Sequence, residues 1–368
     1  MSQNVGAGPR TVLVISDPGL PTRRLERLQG RLESRLGILY HCDVHVITRT
    51  ETIRLRPDNT LDVTAAGRLA DEYDAVDAVL LLTEIPRHSG EDPLVAEVFP
   101  EYNVGVISCP TLGAVATKSR ILTVLLDCLT RLMPLDHPKD GSTAAAGLGP
   151  GRKVGLRWTR WRQDSGGHLA LRADRLLGSA RTVMGMTVAN DPWRTAPRLS
   201  SALAAAAATG AFGIFYSSIW QMAEYLSTAR LLSIGAVAVA VMITWLIVSN
   251  GLWDKPVHER LTRVVVLYNF STVLTLLVCV VALYLALVVM IFAGGLIIID
   301  PGFMSTLLAS SDVQLTNYLD IAWLSAAMGV VAGGLGSSFD SRTDLKKLTH
   351  GQRERQRRYA TDDDPQEA

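Results

Sequence analysis

Apolar positions along this chain follow two regimes that meet near residue 200. Before about residue 135, short β-branched runs alternate with amphipathic stretches; from Ser200 to Phe339, apolar residues run together in long blocks with few charges. In the first regime "TVLVIS" (Thr11 to Ser16) is an unbroken apolar run, the pattern of a strand buried on both faces. "TRRLERLQGRLESRLG" places Leu25, Leu28, Leu32 and Leu36 at spacings of three and four, the stripe of an amphipathic helix, and Gly37 ends it. "CDVHVITRT" alternates like a strand. Thr60 can cap a helix through Leu61, Ala65, Leu69 and Tyr73; "DAVLLLTEI" is a third strand and "YNVGVISCP" a fourth. "GAVATKSRILTVLLDCLTRLM" is a closing helix with Ile121, Leu122, Leu125, Leu129 and Leu132 inward. Strands alternating with helices imply right-handed crossovers and a parallel sheet covered on both faces. The pattern predicts an α/β N-terminal domain over residues 10–135, a small doubly wound parallel sheet of about four strands.

Four uncharged windows follow. They lie between Arg198 and Glu224, Arg230 and Asp254, Arg263 and Asp300, and Asp320 and Asp340. A span needs about 20 mostly apolar residues to cross a hydrocarbon core of about 30 Å, so each window is long enough. The expectation is an all-α membrane domain of four transmembrane helices over residues 201–340. The first, "ALAAAAATGAFGIFYSSIW", is built of small residues, which also suit a buried helix of a soluble protein; its place directly before "RLLSIGAVAVAVMITWLIVSNGLW" favours a span. The third is too long for one perpendicular crossing at 1.5 Å per residue. Its span proper is therefore expected from about Ser271 to Gly294, with "RVVVLYNF" at the interface and "GGLIIIDPGF" leading out through a flexible or re-entrant piece. Asn269, Ser271 and Thr272 read as interfacial or helix-packing polar groups.

Between the two domains, residues 136–200 read as a flexible linker and a basic juxtamembrane helix, the helix from Arg172 to Val188. Residues 341–368 read as a charged cytoplasmic tail. Arg152, Lys153, Arg157, Arg160 and Arg162, interleaved with Trp158 and Trp161, suit contact with an anionic lipid surface. Lys and Arg crowd this connector, the loop after the second window and the tail, whereas Glu224, Asp300, Asp312 and Asp320 occupy the other side. The positive-inside rule then places a multi-pass protein in the inner (plasma) membrane with both termini cytoplasmic. Residues 1–10 carry no apolar core of a cleavable signal.

Overall charge narrows the partners. A formal net charge of +1 offers no cation excess to neutralise phosphates, so nucleic acid is not an expected partner. The four cysteines and seven histidines show no metal-ligand spacing, and no metal or cofactor is assigned.

In open α/β sheets ligands bind beyond the carboxyl ends of strands. Three such ends gather the candidate site: Ser16, Asp17 and Gly19 after the first strand, Thr83 and Glu84 after the third, Ser108 and Cys109 after the fourth. The same residue types serve tight turns. "SDPGLPTRRL" supplies one glycine where a dinucleotide fingerprint wants G-x-G-x-x-G, and no P-loop is present. Arg23 and Arg24 suit either a solvated helix face or an anion at the helix terminus. Asp17 with Glu84 is the nearest thing to an acid and base pair, and Cys109 becomes a nucleophile only if a neighbour lowers its pKa.

At "SDPGLPT", "SSALAAAAATGAFGIFYSSIWQMA" and "LIVSNGLWDKP" the chain resembles a family of uncharacterised actinobacterial integral membrane proteins with an N-terminal Rossmann-like cytoplasmic domain. The resemblance implies that layout and brings no activity with it. Two readings of function follow. One is a membrane-anchored sensory or regulatory protein whose head binds a small anionic ligand or a protein partner, with the helices mediating homo-oligomerisation through patterns such as the G-x-x-x-G of Gly329 and Gly333. The other is a membrane enzyme or transport component. The absence of Asp, Glu, Lys and Arg from the four windows favours the first.

Overall fold

The computed structural model describes residues 9–53, 76–89, 92–115, 117–134, 158–164, 167–192, 200–255, 262–308 and 313–336. The chain divides into two compact units, one taking Met1–Ala189, Pro256–Tyr268 and His350–Ala368, the other Asn190–Lys255 and Asn269–Thr349.

The first unit is built on a mixed sheet. The anticipated strands are present as β1 (Arg10–Ser16), β2 (Val44–Thr50), β3 (Ala78–Thr83) and β6 (Val104–Ser108). They pair in parallel in the order β2, β1, β3, β6. Four further strands extend it: β4 (Arg87–Ser89), β5 (Asp92–Phe99), β7 (Thr159–Gln163) and β8 (Leu169–Ala173). β5 pairs antiparallel with β6, β4 and β8, and β7 with β8. The sheet is therefore eight-stranded and mixed rather than a four-stranded parallel one. It also runs past residue 135, because the segment expected to be linker supplies a hairpin that covers the β5 edge. Unpaired strand edges are open to association, and a hairpin laid along one removes that exposure. "PLVAEVF" carried the apolar signal for β5, masked by its nearness to "YNVGVIS".

Helices α1 (Leu20–Glu26), α2 (Gln29–Tyr40) and α3 (Thr117–Leu132) cover one face, burying Leu25, Leu28, Leu32, Leu36, Ile121, Leu125 and Leu129 against Val12, Val14, Leu80 and Ile107. The leucine spacing marked them, but the single helix expected to end at Gly37 is two: it breaks at Arg27 and Leu28, and α2 runs through Gly37 to Tyr40, where His41 takes φ +53°. The opposite face carries Leu13, Ile15, Val79, Leu81, Val104 and Val106. The helix expected from Leu61 to Tyr73 lies outside the described residues. α4 (Arg175–Ala189) begins three residues later than expected, since Arg172 belongs to β8. Trp161 of β7 donates its indole N–H to Asp127 Oδ2 on α3 at 2.5 Å, and the Arg131 guanidinium stacks 4.2 Å over its ring. Trp161 thus belongs to the head's own packing.

The second unit is helical: α5 (Ser200–Gly210), α6 (Phe212–Phe215), α7 (Ser217–Tyr225), α8 (Thr228–Asn250), most of α9 (Thr262–Ile298), α10 (Pro301–Leu308) and α11 (Leu315–Gly336). Three stretches, Thr228–Asn250, Val264–Ile298 and Leu315–Gly333, are long and apolar enough to cross a membrane. Leu203–Phe215 with Ser217–Tyr225 makes a fourth only as a pair bent by 84°. The expected first helix is thus broken at Tyr216, whose extended backbone interrupts the ladder. Trp220 satisfies a carbonyl freed there, its Nε1–H donating to Gly213 O at 2.8 Å. α9 also departs from expectation. It stays helical through Gly294 and Gly295 as far as Ile298, 37 residues or about 55 Å, before a break at Ile299 and Asp300 leads into α10. Both glycines are contact positions: a Cβ on Gly294 would lie 3.0 Å from Ile214 and one on Gly295 3.6 Å from Tyr318.

Small residues fix the packing of α11. A Cβ on Gly329 would meet Ala206 O at 2.4 Å, and one on Gly333 would meet Ala206 N at 2.4 Å. The G-x-x-x-G therefore packs on the alanine-rich α5 within the chain. Tyr284 OH donates to Trp323 O at 2.8 Å and Trp323 Nε1–H to Leu231 O at 2.9 Å, tying α9, α11 and α8 together. Gly329→Leu is expected to force α5 away from α11 and cost about 1–3 kcal/mol or more, as overpacked cores do. Val289→Ala, at a position two-thirds exposed, should cost far less. Thermal unfolding midpoints of the two variants in detergent compare the costs directly.

Candidate functional site

The ends of β1, β3 and β6 are neighbours, with Ser16 opposite Leu82 and Thr83 opposite Ser108. This register brings together the residues that the sequence singled out. Asp17 is fully buried (0% exposed) and forms the hub. Its Oδ1 accepts from Ile53 N at 3.0 Å; its Oδ2 accepts from Thr83 Oγ1 at 2.7 Å and from Glu84 N at 2.9 Å. Thr83 Oγ1 in turn accepts from Ile85 N at 3.0 Å. Ser108 Oγ donates to Ile85 O at 3.0 Å and lies 3.2 Å from Thr111 Oγ1. Thr22 Oγ1 donates to Asp17 O at 2.8 Å and stands 3.0 Å from Ser16 Oγ. Each of these hydroxyls and the Asp17 carboxylate is engaged inside the protein.

Gly19 precedes α1 at φ +105°, a left-handed backbone that a side chain would strain. Arg23 and Arg24 follow in the last turn of α1, not at its N-terminus. Arg23 Nε–H donates to Gly19 O at 3.3 Å, and Arg24 is buried rather than on a solvated face. Burial pulls the Arg24 pKa down, opposed by Cys109. Cys109 itself is 3% exposed. Burial pushes its thiol up to about 12; Arg24 opposes the shift, and Asp17 and Glu84 add to it. At neutral pH the sulfur is a thiol, so the condition for nucleophilicity set by the sequence is not met.

α4 closes over this region. A Cβ on Gly185 would come within 2.1 Å of Pro110 O, so the helix backbone rests directly on the turn that follows Cys109. Gly113, in the same turn, has φ +86°. Its neighbour Leu112 O accepts from Arg120 Nη1 at 2.7 Å.

A second polar cluster was missed because the strands that build it were missed. On β4, β5 and β8, Arg87 pairs with Glu97 at 2.6 Å, and His168 Nε2 lies 3.4 Å from Glu97 and 3.8 Å from Asp164. Arg172 pairs with Asp164 at 3.2 Å, and the His168 ring stacks on Phe99 at 4.8 Å. Burial lowers the Arg87 pKa while Glu97 raises it. Among the described residues, no three His, Cys, Asp or Glu side chains form a metal-binding group. Arg160 and Arg162 are exposed on β7; Arg152, Lys153 and Arg157 lie outside the described residues.

Compared with known protein families, with curated proteins and with solved structures, the chain finds no match.

Two expectations follow. Asp17→Ala leaves three buried donors without their acceptor, and at about 1–3 kcal/mol for each unsatisfied group the head should be severely destabilised; Thr83→Val, which removes one donor, should cost less. Chemical denaturation followed by Trp fluorescence measures both. Cys109 and Tyr40, each pushed up to about 12 from usual values of 9.0 and 10.0, make the fold sensitive to alkali. The unfolded chain releases these protons first, so stability is complete below pH 9 and falls as pH rises from there toward 12. Cys109→Ser should flatten that decline in denaturation midpoints taken across the range.

Proposed function

We propose that this chain is a membrane-anchored regulatory protein whose α/β head, on the cytoplasmic side, engages a protein partner through its surface. The observation that carries the reading is the saturation of the strand-end cluster. Its carboxylate and hydroxyls are bonded to one another and to backbone, its thiol is protonated, and α4 rests on the turn beyond it. A small-ligand or catalytic site keeps polar groups free for its substrate.

Four crossings are part of the proposal. Lys255, Arg260 and Arg263 follow α8 and seven Lys or Arg follow α11, whereas Glu224, Asp300 and Asp320 gather at the other ends. With the basic segments inside, α8 starts outside, so the chain crosses before Ser227. Residues 200–215 rise about 24 Å as helix, a short crossing that the exposed rings of Phe212, Phe215 and Tyr216 suit as interfacial anchors.

Two measurements test this. Nucleotides and dicarboxylates should leave the unfolding midpoint of the purified whole protein unmoved, because a ligand at 100 times its Kd adds about 2.7 kcal/mol and is readily seen. A stabiliser whose effect disappears in Asp17→Asn and Ser108→Ala would overturn the surface-engagement reading. For topology, Arg175→Cys and Lys255→Cys should resist a membrane-impermeant maleimide in intact cells while Tyr225→Cys reacts. Arg175→Cys and Tyr225→Cys behaving alike would reduce the crossings to three.

A further inference from the structure

α4 has two occupied faces and one bare one. Gly178, Thr182 and Gly185 are buried, Gly185 against Pro110. Met186, fully buried, packs with Leu267 and Tyr268 at the start of α9, flanked by Val183 and Val264. The remaining face presents Leu176, Leu177 and Met184, 79%, 57% and 50% exposed, with Ala180 between them. Leu176, Ala180 and Met184 are spaced by four residues, so they form one stripe, which Leu177 widens. Arg175 begins the helix, and Arg181 borders the stripe with its guanidinium 4.6 Å over the Trp158 ring.

The height of this stripe follows from α9. Its apolar stretch Val264–Ile298 has 35 residues, about 52 Å, against a hydrocarbon core of about 30 Å. The surplus belongs to the interfacial layers, and Leu267 and Tyr268 lie in it. A helix packed on those two residues lies at the same level. Immediately after α4, Asn190 Nδ2–H donates to Thr275 Oγ1 at 2.8 Å, and Cys279 Sγ lies 3.6 Å from Pro192 O, so the chain leaving α4 stays along α9.

We propose that α4 is an interfacial helix: its stripe of Leu176, Leu177, Ala180 and Met184 enters the headgroup layer of an anionic bilayer, while its opposite face holds the turn Pro110–Leu112 of the head. The inference rests on the reading that the head is cytoplasmic and α9 crosses the membrane. The apolar stripe supplies burial, and Arg175 and Arg181 on the same helix supply attraction to acidic headgroups.

The test uses the whole protein in vesicles of phosphatidylcholine and phosphatidylglycerol, with Cys42→Ser so that an environment-sensitive fluorophore labels only introduced cysteines; the other three cysteines are buried. Fluorophores at Leu177→Cys and Met184→Cys should lose about half their emission to a quencher carried near the headgroups on lipid, and little to aqueous iodide. One at Glu26→Cys, exposed on the head, should respond only to iodide. One at Val289→Cys reports on the span. Lipid quenching at Val289→Cys with iodide quenching at both α4 positions would overturn the inference and leave the membrane reading standing. Loss of lipid quenching at Val289→Cys as well would remove both. Protection of the α4 positions from both quenchers would mean that protein covers the stripe, and would also overturn it.

Discussion

A peptide carbonyl or N–H left unbonded in hydrocarbon costs several kcal/mol, a cost that bears on a unit with three helices long and apolar enough to cross a membrane. Where the chain stays helical the ladder answers it. Where it does not, a side chain steps in: at the Tyr216 break, Trp220 donates to Gly213 O. At the end of α8, Gly251 adopts φ +61° and the N–H of Leu252 reaches back to Ile247 O at 3.0 Å, closing the terminus. Beyond it, Asn269 brackets the Asp254 backbone, accepting from its N–H at 2.9 Å and donating to its carbonyl at 3.0 Å. Asn269 was expected to be an interfacial or packing group, and here it serves as a clasp for a chain that has left its helix.

Hydrocarbon also removes the usual reason for helices to associate, because lipid tails are as apolar as leucine. Close backbone approach has to replace it. Among the positions where a Cβ would collide, Gly213 on Ser325 and Gly329 and Gly333 on Ala206 lie between α5 or α6 and α11. The run of alanines on α5, weak as a hydrophobic signal, is what lets those glycines come near. Because Gly329 and Gly333 are occupied within the chain, any self-association has to use another face, and these residues no longer argue for it.

Much of this was legible in sequence because the signals were periodic. Leucines at three and four in α2, and β-branched runs in β1, β3 and β6, report burial that is local in sequence. The antiparallel half of the sheet was not legible for the opposite reason. β7 and β8 close a distant edge, so their residues read as a basic linker until β5 is known to need a partner. Arg87, Glu97 and His168 share that history, and their pairing is a property of the sheet rather than of any one strand. The strand-end residues were found correctly as a group. Their chemistry was not, since nothing within "SDPG" or "TEIP" tells that Asp17 faces Thr83, or that both point inward.

Asp17 also shows why a cluster of catalytic residue types need not be a catalytic site. A carboxylate with three donors at 2.7–3.0 Å has little capacity left for a substrate, and 0% exposure leaves no approach. What it does have is reach: Ile53 follows β2, Thr83 ends β3 and the aspartate itself follows β1, so one side chain fixes three strand ends. Ser108 adds β6 through Ile85. A carboxyl edge knit in this way is rigid, and the turn at Pro110 that continues from it offers a firm seat for Gly185. A helix seated on so stiff an edge keeps its outward apolar stripe in a constant orientation, a property that a surface helix needs if its leucines are to meet a flat boundary together.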